Sequence, residues 1–262
     1  MGRWNARMDW PAPDIVRRAP AMITKLIIQT HRTPEQVEKS GQSWRQHHPD
    51  FDYRFFDDEG CARLIRDAFP ELWPAYQKLP LPVQRADLFR YAAVLHLGGV
   101  YADADTVCLA PIGSYVDLQR PDLVVGVEMT LADWHGPPAE YSYHYSVPSQ
   151  WLQWTFAAPP RHVALAAVLR SIQFHLADHS LDDLKRFSVN PKFTLALTGP
   201  MLFSQVLQGL AAEGRSGGLC ILQRHVWGAL PPEFKLPAVR RRMKVAHLFA
   251  GSWKPAKQAE AP

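Results

Sequence analysis

An α/β fold built on a largely parallel central sheet is the architecture this sequence predicts, on three observations. Short apolar runs of strand character alternate with stretches of helical character. The clearest helix, Val83 to Leu97, is led in by Pro82 and stopped by Gly98-Gly99, and a strand-like stretch carrying Asp103 and Asp105 follows at once. The chain has 262 residues, 47% of them hydrophobic and 21% charged, which suits one domain with a sizeable core.

The elements follow in order. After a polar, proline-containing lead-in, Ile23-Thr24-Lys25-Leu26-Ile27-Ile28 reads as a first buried strand. Thr33-Pro34-Glu35 then supplies an N-cap, a proline at the first helical position and an acidic first turn, for a helix that runs to about His47. Asp52 to Phe56 reads as a second strand, and Asp57-Asp58-Glu59 caps a helix through Arg66. Phe69 to Leu79 continues as a helical segment broken by Pro70 and Pro74. Beyond the central helix, Leu123 to Val127 is the next apolar run, Thr130 to Tyr145 is aromatic and irregular like a binding loop, and residues 162–177 and 198–212 are helical. There is no internal repeat.

Bulk properties exclude several classes. A formal charge of +4 without a nucleic-acid motif allows a mild affinity for anionic ligands and no nucleic-acid partner. Cys61, Cys108 and Cys220 are an odd, widely spaced set, so neither a disulfide framework nor a cysteine metal site is indicated. The sequence has no apolar run approaching the ~18 residues of a membrane helix, no signal core, and Ala6 where myristoylation wants Ser or Thr. It reads as a soluble chain.

The chemistry concentrates in Leu95 to Thr106, L-H-L-G-G-V-Y-A-D-A-D-T. Read as a strand, this places Tyr101, Asp103 and Asp105 on one face and Val100, Ala102 and Ala104 on the other. Two like charges on one face repel, so removing one should leave stability unchanged or improve it, and a cation is their natural occupant. D-x-D alone is weak: Asp50-Phe51-Asp52 repeats it in a plain turn. The setting is what distinguishes the later pair. A strand's carboxyl end is where such sheets bind ligands, and the preceding helix carries Asp87 and Arg90 at i and i+3 on one face. Mg²⁺ and Mn²⁺ favour one or two carboxylates together with substrate phosphates, which makes a metal–diphosphate ligand the expected guest. D-A-D-T-V also resembles the opening of haloacid-dehalogenase-like phosphatases, but about a hundred residues precede it here and no late Asp-Asp motif follows.

The stretch R-A-D-L-F-R-Y to L-G-G-V-Y-A-D-A-D-T, Arg85 to Thr106, resembles the signature of family 32 glycosyltransferases, the DXD sugar transferases. These include the initiating α-1,6-mannosyltransferases of the fungal Golgi. Ile27-Ile28-Gln29-Thr30, Asp122 to Glu128, Trp151-Leu-Gln-Trp154, Thr198-Gly199-Pro200 and Gly251-Ser252-Trp253 resemble further family segments, in order along nearly the whole chain. The resemblance implies a single GT-A domain over residues 1–262, with a Rossmann-like, mostly parallel sheet flanked by helices, a lead-in to about residue 20 and a flexible tail from about 256.

It also implies retaining transfer of a hexose, mannose first, from a nucleotide sugar with Mn²⁺ or Mg²⁺. Asp105 would bind the metal, Asp103 the metal, ribose or sugar hydroxyls, and Tyr101 would pack on base or ribose. Asp87 and Arg90 would meet the donor sugar and phosphate. Asp87, Arg90 and Asp103 are the expected catalytic set, and Gln29 and Thr30 join the donor site. His247 would complete the metal shell, and Ser252, Trp253 and Lys254 would meet the donor, Lys254 at the departing diphosphate. Glu128, Asp133 and Trp134 fall where an acceptor would lie. Ile28 and His31 stand where the family has His and Trp, a departure that bears on base stacking by this loop and on nucleotide preference. The expected donor is GDP-mannose or a UDP-hexose, and the acceptor a glycan, glycolipid or glycoprotein. A catalytically silent sugar-nucleotide-binding module is the alternative from another class. The candidate compartments are the Golgi lumen and the cytoplasm.

Overall fold

A computed structural model describes residues 22–250. The first strand, β1 (Leu26–Thr30), starts three residues later than the apolar run suggests. Ile23 is pinned instead by its N–H to the Leu118 carbonyl, and the Thr24 hydroxyl is spent on the Leu97 carbonyl. Pro34–Val37 forms a 3₁₀ turn ahead of α1 (Glu38–His47), and Thr33, although extended, makes no side-chain cap bond. β2 (Asp52–Phe56) follows, and Asp57 does cap α2 (Asp58–Ala68), accepting the Gly60 N–H at 2.7 Å.

The proline-broken segment resolves into a 3₁₀ turn and α3 (Trp73–Lys78). α4 (Pro82–Leu97) is buried without a gap from Asp87 to Leu95, so it is a central helix rather than an amphipathic surface one. It ends at Gly98 and Gly99, whose φ values of 68° and 102° belong to the glycine region. A Cβ on Gly99 would stand 2.5 Å from the Leu26 carbonyl oxygen, so glycine is what lets the chain turn tightly into β3 (Gly99–Ala102) against β1.

The remaining elements are β4 (Thr106–Cys108), β5 (Leu123–Thr130), α5 (Pro138–His144), β6 (Ser149–Ala158), α6 (Val163–Ala177), α7 (Leu181–Phe187), α8 (Pro191–Leu197), α9 (Pro200–Ala212), β7 (Leu219–Leu222), α10 (Arg224–Trp227), α11 (Pro237–Arg242) and β8 (Val245–His247). The main sheet runs β2-β1-β3-β6-β5-β7. Its β1–β2, β1–β3 and β5–β7 pairs are parallel, while β6 lies antiparallel to both β3 and β5. β4 and β8 form a separate antiparallel ribbon that sets Thr106 opposite His247.

Alternation along the strands divides the core between the two faces. Ile28, Tyr101, Val125 and Phe156 pack with α4, α6 and α9, whereas Ile27, Val100, Leu152 and Trp154 pack with Trp44 and Trp227. Among the described residues, the helical run from Pro191 to Ala212 is long and apolar enough by composition to cross a membrane. It breaks at Thr198-Gly199, and α9 packs against β6 and α6.

Candidate functional site

β3 stops at Ala102, and residues 103–105 form a turn rather than a continuation of the strand. The Asp103 carbonyl closes that turn by accepting the Thr106 N–H at 3.1 Å and the Thr106 hydroxyl at 2.7 Å. Gln29 locks it from below. Its amide donates to the Asp103 carbonyl at 3.1 Å and to Ser40 at 2.7 Å, while its oxygen accepts from Tyr53. From the other side, the Asp103 N–H donates to the Trp154 carbonyl at 2.8 Å. The two aspartates therefore leave a rigid turn at the carboxyl end of β3, and each finds its own partners.

Asp103 points inward. Its Oδ1 accepts the Tyr101 hydroxyl at 2.7 Å and lies 3.2 Å from Arg90 Nη1. Arg90 Nη2 reaches Asp87 Oδ1 at 3.1 Å, its guanidinium sits 4.8 Å from the Tyr101 ring centre, and both members of the Asp87–Arg90 pair are almost fully enclosed, at 3% and 5% side-chain exposure. Burial pushes the Asp87 carboxyl up, against the pull of Arg90, Thr198 and Gln153. Burial works against the Arg90 charge as well, but Asp103, Tyr101 and Asp87 outweigh it and hold the guanidinium charged. The Tyr101 ring is buried between this cation and Phe156, with its hydroxyl held on Asp103, so it offers no open face to a base.

Asp105 points to the ribbon. Its Oδ1 accepts from His247 Nε2 and its Oδ2 from the Ala250 N–H, both at 2.9 Å. Since a carboxylate only accepts, Nε2 carries the proton in this arrangement. Burial alone would raise the Asp105 carboxyl, but these donors more than reverse it and hold it below the usual carboxylate range. The His247 ring stacks on Trp154 with centroids 4.4 Å apart.

One ligand atom from each of Asp103, Asp105 and His247 lies within 4.8 Å of the others. Two hard carboxylates and one imidazole suit Mn²⁺ or Mg²⁺, and both carboxylates remain about a quarter exposed on their outer sides. The residues present therefore fit a divalent ion, which would take the place of the proton between His247 and Asp105.

Thr30, at the carboxyl end of β1, gives its hydroxyl to the Phe56 carbonyl and lines a cavity of about 310 Å³ together with Asp58, Trp73, Tyr76 and Arg85. Glu128 sits near the end of β5, within 3.4 Å of the Gln150 amide. Asp133 is exposed and closes a turn with Thr130, whose hydroxyl donates to it at 2.6 Å. Trp134 is half-buried among Tyr141, His144 and Tyr145 and braces the loop. Ser252, Trp253 and Lys254 lie outside the described residues.

Sequence reasoning assigned no role to Gln153 and Thr198, which both donate to Asp87. Only the Q-W and T-G-P resemblances drew attention to these stretches.

The charged turn at the carboxyl end of β3, beside an enclosed arginine and a triad that fits a metal, sits on a GT-A fold of the glycosyltransferase class. Residues 34–123 match the model described as "Glycosyltransferase sugar-binding region containing DXD motif". That region belongs to the DXD glycosyltransferases, and the chain resembles their fungal mannosyltransferases. It is 33% identical over 198 residues to an initiation-specific alpha-1,6-mannosyltransferase of Schizosaccharomyces pombe, covering 71% of this chain and 48% of that protein. It is 39% identical over 90 residues to inositol phosphoceramide mannosyltransferase 2 of the same organism, covering 33% and 26%.

The chain thus spans about half the length, or less, of the curated relatives it matches. Among solved structures, the UDP-bound glycosyltransferase domain from the YGT toxin superposes with a TM-score of 0.50 at 9% identity, over 77% of this chain and 79% of that one. This likeness bears on the fold.

Proposed function

We propose that this chain is a divalent-metal-dependent, retaining glycosyltransferase that moves a hexose, mannose first among candidates, from a nucleotide sugar to a glycan or lipid acceptor. The observation that carries this reading is the unbroken line Asp87–Arg90–Asp103, ending on the Asp103–Asp105–His247 triad. Three carboxylates in this line face one guanidinium and one imidazole, an arrangement rich in carboxylate oxygen that a divalent cation complements. Asp103, Asp105 and His247 would hold Mn²⁺ or Mg²⁺. The bound ion supplies charge stabilisation on the departing diphosphate.

Arg90 keeps its fork between Asp87 and Asp103, so the donor sugar meets a preset array rather than a mobile cation. Tyr101 serves by fixing Asp103. Gln29 shapes the turn from beneath, and Thr30 borders the cavity beside it, a place suited to the nucleoside half of the donor. Glu128 near the end of β5, with Asp133 and Trp134 in the segment that follows, would face the acceptor, and Ser252, Trp253 and Lys254 would approach the donor phosphates.

Mannose is favoured because the names of the relatives at 33% and 39% identity both specify a mannosyl transfer. Those names divide between an initiation-specific mannosyltransferase and an inositol phosphoceramide one, which keeps glycan and lipid acceptors both in view.

A nucleotide-sugar panel in Mn²⁺ tests this, reading donor hydrolysis without acceptor and melting temperature. GDP-mannose should be turned over and should raise the melting temperature more than UDP-glucose. Tighter binding of UDP-sugars would move the assignment to a UDP-hexose transferase. Stabilisation by donors without any turnover would make the chain a binding module.

A further inference from the structure

Two stretches are left without a role: Q-W-L-Q-W on β6 and the Thr198-Gly199-Pro200 break between α8 and α9. Both converge on Asp87. Its Oδ1 accepts the Gln153 amide at 3.0 Å beside Arg90 Nη2, and its Oδ2 accepts the Thr198 hydroxyl at 2.8 Å. The Gln153 amide can face this carboxylate only with its NH₂ end, because a flipped amide would set oxygen against oxygen. The consequence is visible: Gln153 Oε1 is buried with no partner among the described residues. An orphaned acceptor is costly, and packing alone does not call for one.

Thr198 is held just as firmly. Its N–H donates to the Thr194 carbonyl at 3.1 Å, and its own carbonyl accepts the Tyr91 hydroxyl at 2.9 Å. Gly199 makes that tight break feasible, since a Cβ there would lie 2.8 Å from Leu195 Cα. The backbone of β6 completes the arrangement, with the Gln153 carbonyl accepting Arg90 Nη1 at 3.1 Å and the Trp154 carbonyl accepting the Asp103 N–H at 2.8 Å.

We propose that Gln153 and Thr198 are positioning residues, two neutral donors from separate elements that keep the Asp87 carboxylate aimed so that the Arg90 fork is presented correctly to Asp103 and the donor. The proposal rests on the transferase reading for its kinetic consequence but not for its structural one. Burial pushes the Asp87 carboxyl up, and the two donors oppose it from either side of the Arg90 contact.

The test uses the full chain and the variants Gln153→Met, Thr198→Val, Thr198→Ser and Asp87→Asn. Gln153→Met and Thr198→Val keep volume and remove one donor each. Donor turnover with Mn²⁺ should fall on the order of 10–100-fold through kcat in both, with Mn²⁺ affinity within about threefold of the parent. Thr198→Ser retains the hydroxyl and should recover most of the rate. In the Asp87→Asn background, Gln153→Met should lower the denaturation midpoint far less than it does in the parent, because its effect runs through that carboxylate.

Unchanged kcat in both variants together with additive midpoints would overturn the proposal and reduce both residues to packing. A parent protein that turns over no nucleotide sugar would sink the transferase reading. The midpoint cycle would still decide the positioning roles.

Discussion

Replacing Asp105 by alanine sets two opposing terms against each other, and the structure says which one wins. Charge repulsion from Asp103 favours removal, the outcome expected from two carboxylates on one strand face. In the folded chain, however, the Asp103 side chain is held by Arg90 and Tyr101, while Asp105 accepts from His247 and the Ala250 N–H at 2.9 Å each. Ala250 is exposed and can bond water after truncation, whereas His247 is buried.

Hydrogen bonds to a charged acceptor contribute about 1.5–3 kcal/mol each when buried. The 26% exposure of the Asp105 side chain and the relieved repulsion reduce that to a net loss of roughly 1–2 kcal/mol. For a chain of this size the melting temperature in chelator should drop by roughly 2–8 °C. Saturating Mn²⁺ should widen the gap, since an ion at 100 times its Kd stabilises the parent by about 2.7 kcal/mol and the variant by almost nothing.

The pH dependence has a definite sign. The Asp105 carboxyl is depressed in the fold, so its contribution is present above the unfolded carboxylate value near ~3.9 and is lost as pH falls through the lower folded value. Equilibrium denaturation of both proteins from neutral to acid pH, with chelator and with Mn²⁺, checks each statement. A variant as stable as the parent in chelator at pH 7, and still stabilised by Mn²⁺, would refute the reasoning.

Two further outcomes are expected. Arg90→Lys keeps a charge but cannot span Asp87 and Asp103 with a planar fork, so donor turnover should fall at least about 100-fold while the far-ultraviolet circular dichroism stays the same; a kcat within tenfold of the parent would argue against the bridging role. His162, buried at the start of α6, accepts the Ala164 N–H on Nδ1, and its burial lowers its pKa to about 4. Its neutral form is therefore the folded one, stability should be full above the unfolded value near ~6.5 and decline by up to about 3 kcal/mol as pH falls toward 4, and His162→Gln should flatten that slope in urea titrations.

The charged centre of this site was legible because its signals are local. Asp87 and Arg90 are one helical turn apart, the double glycine ends the helix, and the paired aspartates follow directly. Asp103 and Asp105 do converge, but through a turn locked by Gln29 and Thr106 rather than through strand alternation. His247 reaches Asp105 across 142 positions, a distance that only the family pattern could bridge. β6 escaped the residue-by-residue reading because S-Q-W-L-Q-W-T-F-A-A lies buried along nearly its whole length. A strand enclosed on both faces has no polar alternation to betray it, and its glutamines read as solvent-facing until Asp87 is found opposite one of them.

The reversed direction of β6 has a consequence for how such chains diversify. Thr130 and Ser149 are paired across the β5–β6 ladder, so the whole excursion between them leaves and re-enters the sheet at one rung. Closing a longer loop there costs little, about 0.6 kcal/mol for each doubling in length. Both ends are held by the Thr130–Ser149 rung, and the ladder shifts register further along, between Val125 and Met129, while on the same β6 Gln153 and Trp154 meet the charged residues. The stretch from 131 to 148 can thus change in length and sequence with little demand on the half of the sheet that holds the charged residues. Grafting a foreign loop between Thr130 and Ser149 should leave Mn²⁺ affinity and the melting temperature nearly where they were, and, on the proposed reading, change the acceptor that is used.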